Sequence, residues 1–190
     1  MIILRYIYYS ILFVHKIWDR LMSYLFLVDL RKRSTRCGKN VYIYYPMRIS
    51  GLEMLDVGDN VHINRGAYIR AEGGLRIGDN VHMGPNLVIY TLNHKYDGDA
   101  LPYDINFVYK PVVIEKNVWI GANVTIVPGA TIGEGAIVGA GAVVSGQVPP
   151  LAIVANDPAK IIKYRDRMRY AHFENLGRYG GVQGKLYTQD

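Results

Sequence analysis

Between Ile114 and Pro149 the chain repeats itself every six residues. Aliphatic side chains recur at Ile114, Ile120, Ile126, Ile132, Val138 and Val144, and a small or β-branched residue follows four places later at Val118, Val124, Ala130, Ala136, Ala142 and Val148. This is neither the period of a helix nor that of a half-buried strand. It suits a solenoid in which each unit is a short flat strand and a sharp turn. Three units then close a triangular coil, and coils stack in parallel about 4.8 Å apart. The interior becomes a column of aliphatic side chains. Corners fall at Gly121-Ala122-Asn123, Gly133-Glu134-Gly135 and Gly139-Ala140-Gly141, where a turn needs positive φ or a side chain that bonds its own backbone.

The same period runs through the first half. Cys37, Ile43 and Ile49 form one coil, Val57, Ile63 and Ile69 the next, and Ile77, Met83 and Ile89 a third, with twenty residues per coil over the first two steps. The phrase Gly58-Asp59-Asn60-Val61-His62 returns as Gly78-Asp79-Asn80-Val81-His82, and more weakly as Gly38-Lys39-Asn40-Val41. The pattern stops after Ile89 and resumes at Ile114, so residues from about 95 to 113 read as an inserted loop, a length usually functional or disordered. The expectation is a mainly β parallel solenoid of about five coils over residues 37–155, with residues 1–36 an amphipathic helix and basic linker, and 156–190 a basic helical tail.

In 190 residues this is one domain with appendages. Cys37 is in register with the core, as a small hydrophobe rather than a nucleophile, and the lack of a disulfide framework suits a cytoplasmic setting. The net charge of +6 gathers at Arg31, Lys32, Arg33 and Arg36 and at Lys160, Lys163, Arg165, Arg167 and Arg169. No recognition-helix or aromatic RNA-binding motif accompanies it, which argues against nucleic acid. In the first thirty residues, Arg5, His15, Lys16, Asp19 and Arg20 interrupt any run long enough to span a membrane. On a helical wheel these charges share one side with Tyr9 and Ser23, and Ile3, Ile7, Ile11, Val14, Trp18, Leu21 and Leu25 take the other. That apolar face has two readings: packing within the protein or between its copies, or lying in an anionic membrane surface with the basic cluster on headgroups.

Five further segments occur in order: Asn93-His94-Lys95-Tyr96-Asp97, Lys110-Pro111-Val112-Val113-Ile114, Asn117-Val118-Trp119-Ile120-Gly121-Ala122-Asn123, Pro128-Gly129-Ala130-Thr131-Ile132-Gly133 and Asn156-Asp157-Pro158-Ala159-Lys160. With the hexads they make the chain resemble the hexapeptide-repeat acyltransferases over residues 37 to 163, and most of all the branch of maltose, galactoside and surface-polysaccharide O-acetyltransferases. The resemblance implies a left-handed parallel β-helix, a homotrimer with active sites between subunits, and acetyl-CoA as co-substrate without a metal.

It also implies roles. His94 is the candidate general base, a task that suits a side chain able to take and return a proton near neutral pH. The N–H of Ala122 is the candidate oxyanion donor. Asn64, Tyr96, Asp97 and Trp119 are candidates for the sugar or glycan acceptor. Trp119 is also expected along the CoA path with Ala122, Gly139, Ala140 and Ser145, and Lys160 and Lys163 at the nucleotide phosphates. Asn64 departs from the pattern, because Arg65 and Gly66 follow it. His62 and His82 stack one coil apart, as in a zinc-bearing relative of γ-carbonic anhydrase type, but the close His-x4-His pairing of that family is missing and repetition accounts for them. N-acetylation of a nucleotide-linked amino sugar remains open on the same donor, as does a non-catalytic trimeric scaffold, which needs neither the loop nor the His94 motif.

Overall fold

The hexads fold into flat strands of two to four residues on three faces of a prism; the computed structural model describes residues 2–97, 99, 101–180 and 186–187. The first face stacks Arg36–Cys37, Leu55–Val57, Leu75–Ile77, Val112–Ile114, Thr131–Ile132 and Gln147–Val148 in parallel. The second stacks Tyr42–Ile43, His62–Ile63, His82–Met83, Trp119–Ile120, Ile137–Val138 and Ala152–Ala155. The third stacks Met47–Ser50, Ala67–Arg70, Val88–Tyr90, Thr125–Ile126 and Val143–Val144. Five coils are complete, and a sixth has two faces.

Alternation within each short strand sends one side chain in and the next out. The column Ile43, Ile63, Met83, Ile120, Val138 and Val154 is buried throughout, as are Ile77, Ile114 and Ile132 on the first face. Each such side chain contributes about 1.5–3 kcal/mol of apolar burial. Cys37 packs half-buried against this core, as its register required, and its thiol is pushed up by burial.

Coil length shrinks along the axis. The step on the first face is twenty residues from Arg36 to Asp56 and from Asp56 to Arg76, eighteen from Val113 to Thr131, and sixteen from Thr131 to Gln147. The last step corrects the hexad reading of Val148, which sits opposite Ile132 rather than at a small-residue corner position. The cause is the tight turn at Ser145–Gly146, where Gly146 takes φ 69° and closes the corner two residues early.

The corner between the first and second faces carries an asparagine ladder. Asn40, Asn60, Asn80 and Asn117 all have φ between 52° and 61°, which Asn tolerates better than other residues with a Cβ. Asn60 donates to Asn80 Oδ1 at 2.9 Å and Asn80 to Asn117 Oδ1 at 3.0 Å. Asn117 in turn donates to the Tyr170 hydroxyl at 2.7 Å.

Two appendages meet the prism. Helix α1 (Ile2–Arg33) packs Phe26, Leu27 and the fully buried Leu30 on the first coil. Ser23 Oγ accepts from Tyr45 N at 2.9 Å, and Asp19 pairs with Arg65 at 3.3 Å. The C-terminal segment opens not as a helix but as a strand, Lys160–Tyr164, antiparallel to Ala152–Ala155. Helix α2 (Arg167–Asn175) follows, N-capped by Asp166, whose carboxylate accepts from Arg169 N at 2.7 Å. Among the described residues, no helix is long and apolar enough to cross a membrane.

Candidate active site

The inserted segment leaves the prism at the corner between the third and first faces. It starts at Leu92, earlier than the repeat alone indicates, because Leu92–His94 pairs antiparallel with Phe107–Tyr109 to form a projecting hairpin. The hairpin root is Thr91, which is fully buried. Its hydroxyl donates to Arg70 O at 2.8 Å and accepts from Gly73 N at 2.7 Å, and its carbonyl accepts from Lys110 N at 2.8 Å. A Cβ at Gly73 would stand 2.0 Å from Thr91 O, so only glycine allows this approach.

His94 ends the outgoing strand opposite Phe107. Its ring stacks on Tyr103 with centroids 3.8 Å apart and lies 4.5 Å from Phe107. Nδ1 is buried without a hydrogen-bond partner among the described residues. The imidazole is therefore oriented by two aromatic rings rather than by a carboxylate. Tyr96 and Asp97 follow on the same hairpin, both exposed, Tyr96 to 80%. Tyr103, Phe107 and Thr91 carry no signal in the sequence, because their roles depend on the hairpin pairing and not on the hexad.

The other candidates lie elsewhere on the prism. Ala122 and Ala140 share the corner between the second and third faces on adjacent coils, joined by a bond from Gly141 N to Ala122 O of 2.8 Å. Gly121 N donates to Val138 O at 2.8 Å and Asn123 N to Pro85 O at 2.9 Å, whereas the Ala122 N–H between them has no acceptor among the described residues. The corner is tight: a Cβ on Gly121 would lie 2.6 Å from Ala140 N, and one on Gly139 3.0 Å from the Ala155 Cβ. Lys160 pairs with Ala155 beside this corner. Ser145 is exposed at the opposite edge of the third face, near the His94 side. Between those edges Val88, Thr125 and Val143 stand in register as a strip of small β-branched residues.

Asn64 also sits at the second-to-third corner, but its Oδ1 accepts from Arg65 N at 2.8 Å, so it serves the turn. Trp119 is outward and 59% exposed, as its register required. It lies on the second face in register with His82, and with Lys163, Tyr170 and Phe173 it lines a cleft of about 900 Å³ under α2. One chain thus unites His94, Tyr96 and Asp97, and separately groups Ala122, Gly139, Ala140 and Lys160. It does not bring Trp119 or Asn64 to His94.

His62 and His82 stack with centroids 4.1 Å apart and ring planes 19° from parallel. Burial, then the charge of its neighbour, pushes His62 down to about 4; burial lowers His82 against an opposing hydrogen bond to the Gly180 carbonyl. Face-to-face rings pack well but do not converge on a shared ion, as tetrahedral zinc ligands must. Among the described residues no three His, Cys, Asp or Glu side chains are grouped to hold a metal.

The comparisons fit this architecture. The family "Bacterial transferase hexapeptide (six repeats)" matches residues 111–146. A hexapeptide-repeat acetyltransferase from Vibrio cholerae, solved with acetyl-CoA, is 32% identical over 72% of this chain and 75% of its own, with a TM-score of 0.67. The chain belongs to the hexapeptide-repeat acyltransferases. The solenoid of this acyltransferase is accordingly the left-handed β-helix. A maltose O-acetyltransferase from Clostridium difficile 630 is 33% identical over 73% of each chain, with a TM-score of 0.64. An N-acyltransferase from Bacillus cereus, solved as a variant with a dTDP-linked 4-amino-4,6-dideoxyglucose and coenzyme A, is 26% identical over 80% of this acyltransferase and 95% of its own chain, with a TM-score of 0.63. No curated protein sequence matches the chain significantly.

Proposed function

We propose that the protein is an acetyl-CoA-dependent O-acetyltransferase acting on a hydroxyl of a sugar or polysaccharide precursor, with His94 as general base. The observation that carries this reading is the His94 ring, packed on Tyr103 and Phe107 on a hairpin that leaves the solenoid at the edge of the face carrying Val88, Thr125 and Val143. Geometry of this kind holds a base in one orientation, and orientation is a large part of what a positioned group supplies.

His94 takes the acceptor hydroxyl proton as the oxygen attacks the thioester carbonyl carbon. The N–H of Ala122 holds the oxyanion that forms. Collapse breaks the C–S bond, and the imidazolium returns its proton to the departing sulfur, leaving an O-acetyl ester and free CoA thiol. His94 and Ala122 flank the third face from opposite corners, so the reading has the hairpin of one subunit facing the Ala122–Ala140 corner of the next in a homotrimer. The pantetheine arm passes the bare corner at Ala122, Gly139 and Ala140 towards Ser145, and Lys160 and Lys163 take the phosphates. Trp119 flanks the same path, with Tyr96 and Asp97 on the acceptor.

A second reading, transfer to the amine of a nucleotide-linked amino sugar, is favoured by the likeness to the Bacillus cereus enzyme over 95% of that chain. Thiol release from acetyl-CoA against sugars, glycan fragments and sugar nucleotides separates the two. Release with hydroxyl-only acceptors supports O-acetylation. Release confined to amino sugars overturns it, and release with neither class overturns the transferase assignment to sugars.

A further inference from the structure

The orientation of α1 reverses a simple expectation. An amphipathic helix beside a soluble core normally buries its apolar stripe, yet α1 docks through the side that carries Asp19 and Ser23. Among the described residues, only Phe26, Leu27 and Leu30 near its end reach the core. Ile7, Ile11, Val14, Trp18, Leu21, Leu25 and Val28 therefore face outward, between 46% (Leu21) and 64% (Val14) exposed. Tyr6, Phe13, Ile17 and Tyr24 widen the stripe along one flank. The side chain of Ile3, the first position of that face, lies outside the described residues. From Leu4 to Val28 the surface runs about 36 Å at 1.5 Å per residue, far beyond scattered surface apolar residues.

We propose that this face of α1 lies in the surface of an anionic bilayer, parallel to the membrane plane. The charges decide the occupant. Arg20 flanks the stripe beside Phe13 and Tyr24, Arg5 and Lys16 stand exposed on the other side of the helix, and Arg31 and Lys32 stand exposed at its end. The two acids of the helix, Asp19 and Asp29, are paired with Arg65 and Arg33. A second copy offers only the same helix, whose two acids are already paired, and so leaves these cations uncompensated, whereas an anionic surface complements them. The tether at Asp19 and Ser23 fixes the second half of the helix on the solenoid and leaves residues 4–18 exposed on all sides; a helix with one apolar stripe and charges opposite it suits a lying rather than a spanning geometry. Trp18, Tyr6 and Tyr24 are side chains that favour the bilayer–water boundary, and an interfacial helix of this kind binds through apolar area plus attraction to anionic lipid.

Flotation of the full chain tests the proposal, with vesicles of phosphatidylcholine alone and of phosphatidylcholine with phosphatidylglycerol in equal parts. The wild type floats with the anionic vesicles. The double variant Val14→Glu, Leu21→Glu, whose side chains face outward, keeps its circular dichroism and sedimentation mass but loses at least about tenfold in partitioning, since burying even one such side chain exceeds the roughly 1.4 kcal/mol behind a tenfold change. Lys16→Gln with Arg20→Gln weakens binding to the anionic vesicles by about fivefold per cation. A wild-type chain that stays at the bottom with anionic vesicles at low salt overturns the proposal, as does undiminished flotation of the Glu variant. A smaller sedimentation mass for the Glu variant in the absence of lipid assigns the stripe to contact between copies and equally overturns it.

Discussion

His94 and the His62–His82 pair stand on one solenoid, flanked by aromatic rings in both places, and the fold makes opposite use of them. The pair faces outward from the second face, where strict coil stacking superposes Tyr42, His62, His82 and Trp119. Gly180 from the C-terminal segment lies over it, bonded to Asn60 at 3.0 Å, and both Nε2 atoms are buried without partners among the described residues. These imidazoles are packing elements held neutral. His94 leaves the stack altogether, carried out by a hairpin whose root is fixed through Thr91. An imidazole inside the repeat is constrained by its neighbours above and below. One outside it can meet a substrate.

The sharpest way to break this contrast is to remove each kind in turn. His94→Ala is expected to lower turnover by at least about 100-fold, within the range of a positioned general base, with thermal stability little changed because the ring stacks on Tyr103 and Phe107 of its own hairpin. The replacement His62→Phe with His82→Phe, which keeps the stacked surface, is expected to leave turnover within about threefold of wild type, since neither ring takes a proton in the reaction. Steady-state thiol release measures both. A comparable loss in both variants would erase the distinction.

A smaller effect is expected from the rings that hold His94. Tyr103→Ala frees one face of the imidazole, and misplacing a reacting group costs rate out of proportion to the packing removed. Turnover should fall about tenfold with KM nearly constant, and Tyr103→Phe should restore it, because the stack needs the ring and not the hydroxyl. If the phenylalanine variant is as slow as the alanine variant, the hydroxyl matters and ring packing is the wrong account of how His94 is positioned.

The parts of the molecule that the hexad controls were legible in the sequence: the aliphatic column, the glycine and asparagine corners, the outward Trp119 and the stacking of His62 on His82. Repetition supplies its own register, so one correct coil predicts its neighbours. The repeat misled only at Val148, where a two-residue corner replaced a four-residue one. The environment of His94 was not legible, because Tyr103 and Phe107 reach it through antiparallel pairing inside an aperiodic segment. Nor was the docking side of α1. The helical wheel separates its polar and apolar faces correctly, but Arg65 and the Tyr45 amide, which capture the polar one, belong to the solenoid surface and leave no mark on the helix sequence.

The smallest expected effect concerns the stability that the buried pair confers. His62 is pushed down to about 4 in the folded chain, and His82 is lowered as well, against an ordinary histidine value of about 6.5. The unfolded chain therefore binds protons more readily across that window, so stability is full above about pH 6.5 and declines as the pH falls towards 4. Between about pH 7 and pH 5 the pair should account for a loss on the order of 1 kcal/mol, or about 2–4 °C in melting temperature for a chain of this size. The His62→Phe, His82→Phe protein cannot take up those protons, so its melting temperature should depend less on pH by that amount. Should the double phenylalanine variant melt with the wild-type slope instead, the acid sensitivity arises elsewhere, and the two histidine environments differ in catalysis but not in what they contribute to the fold.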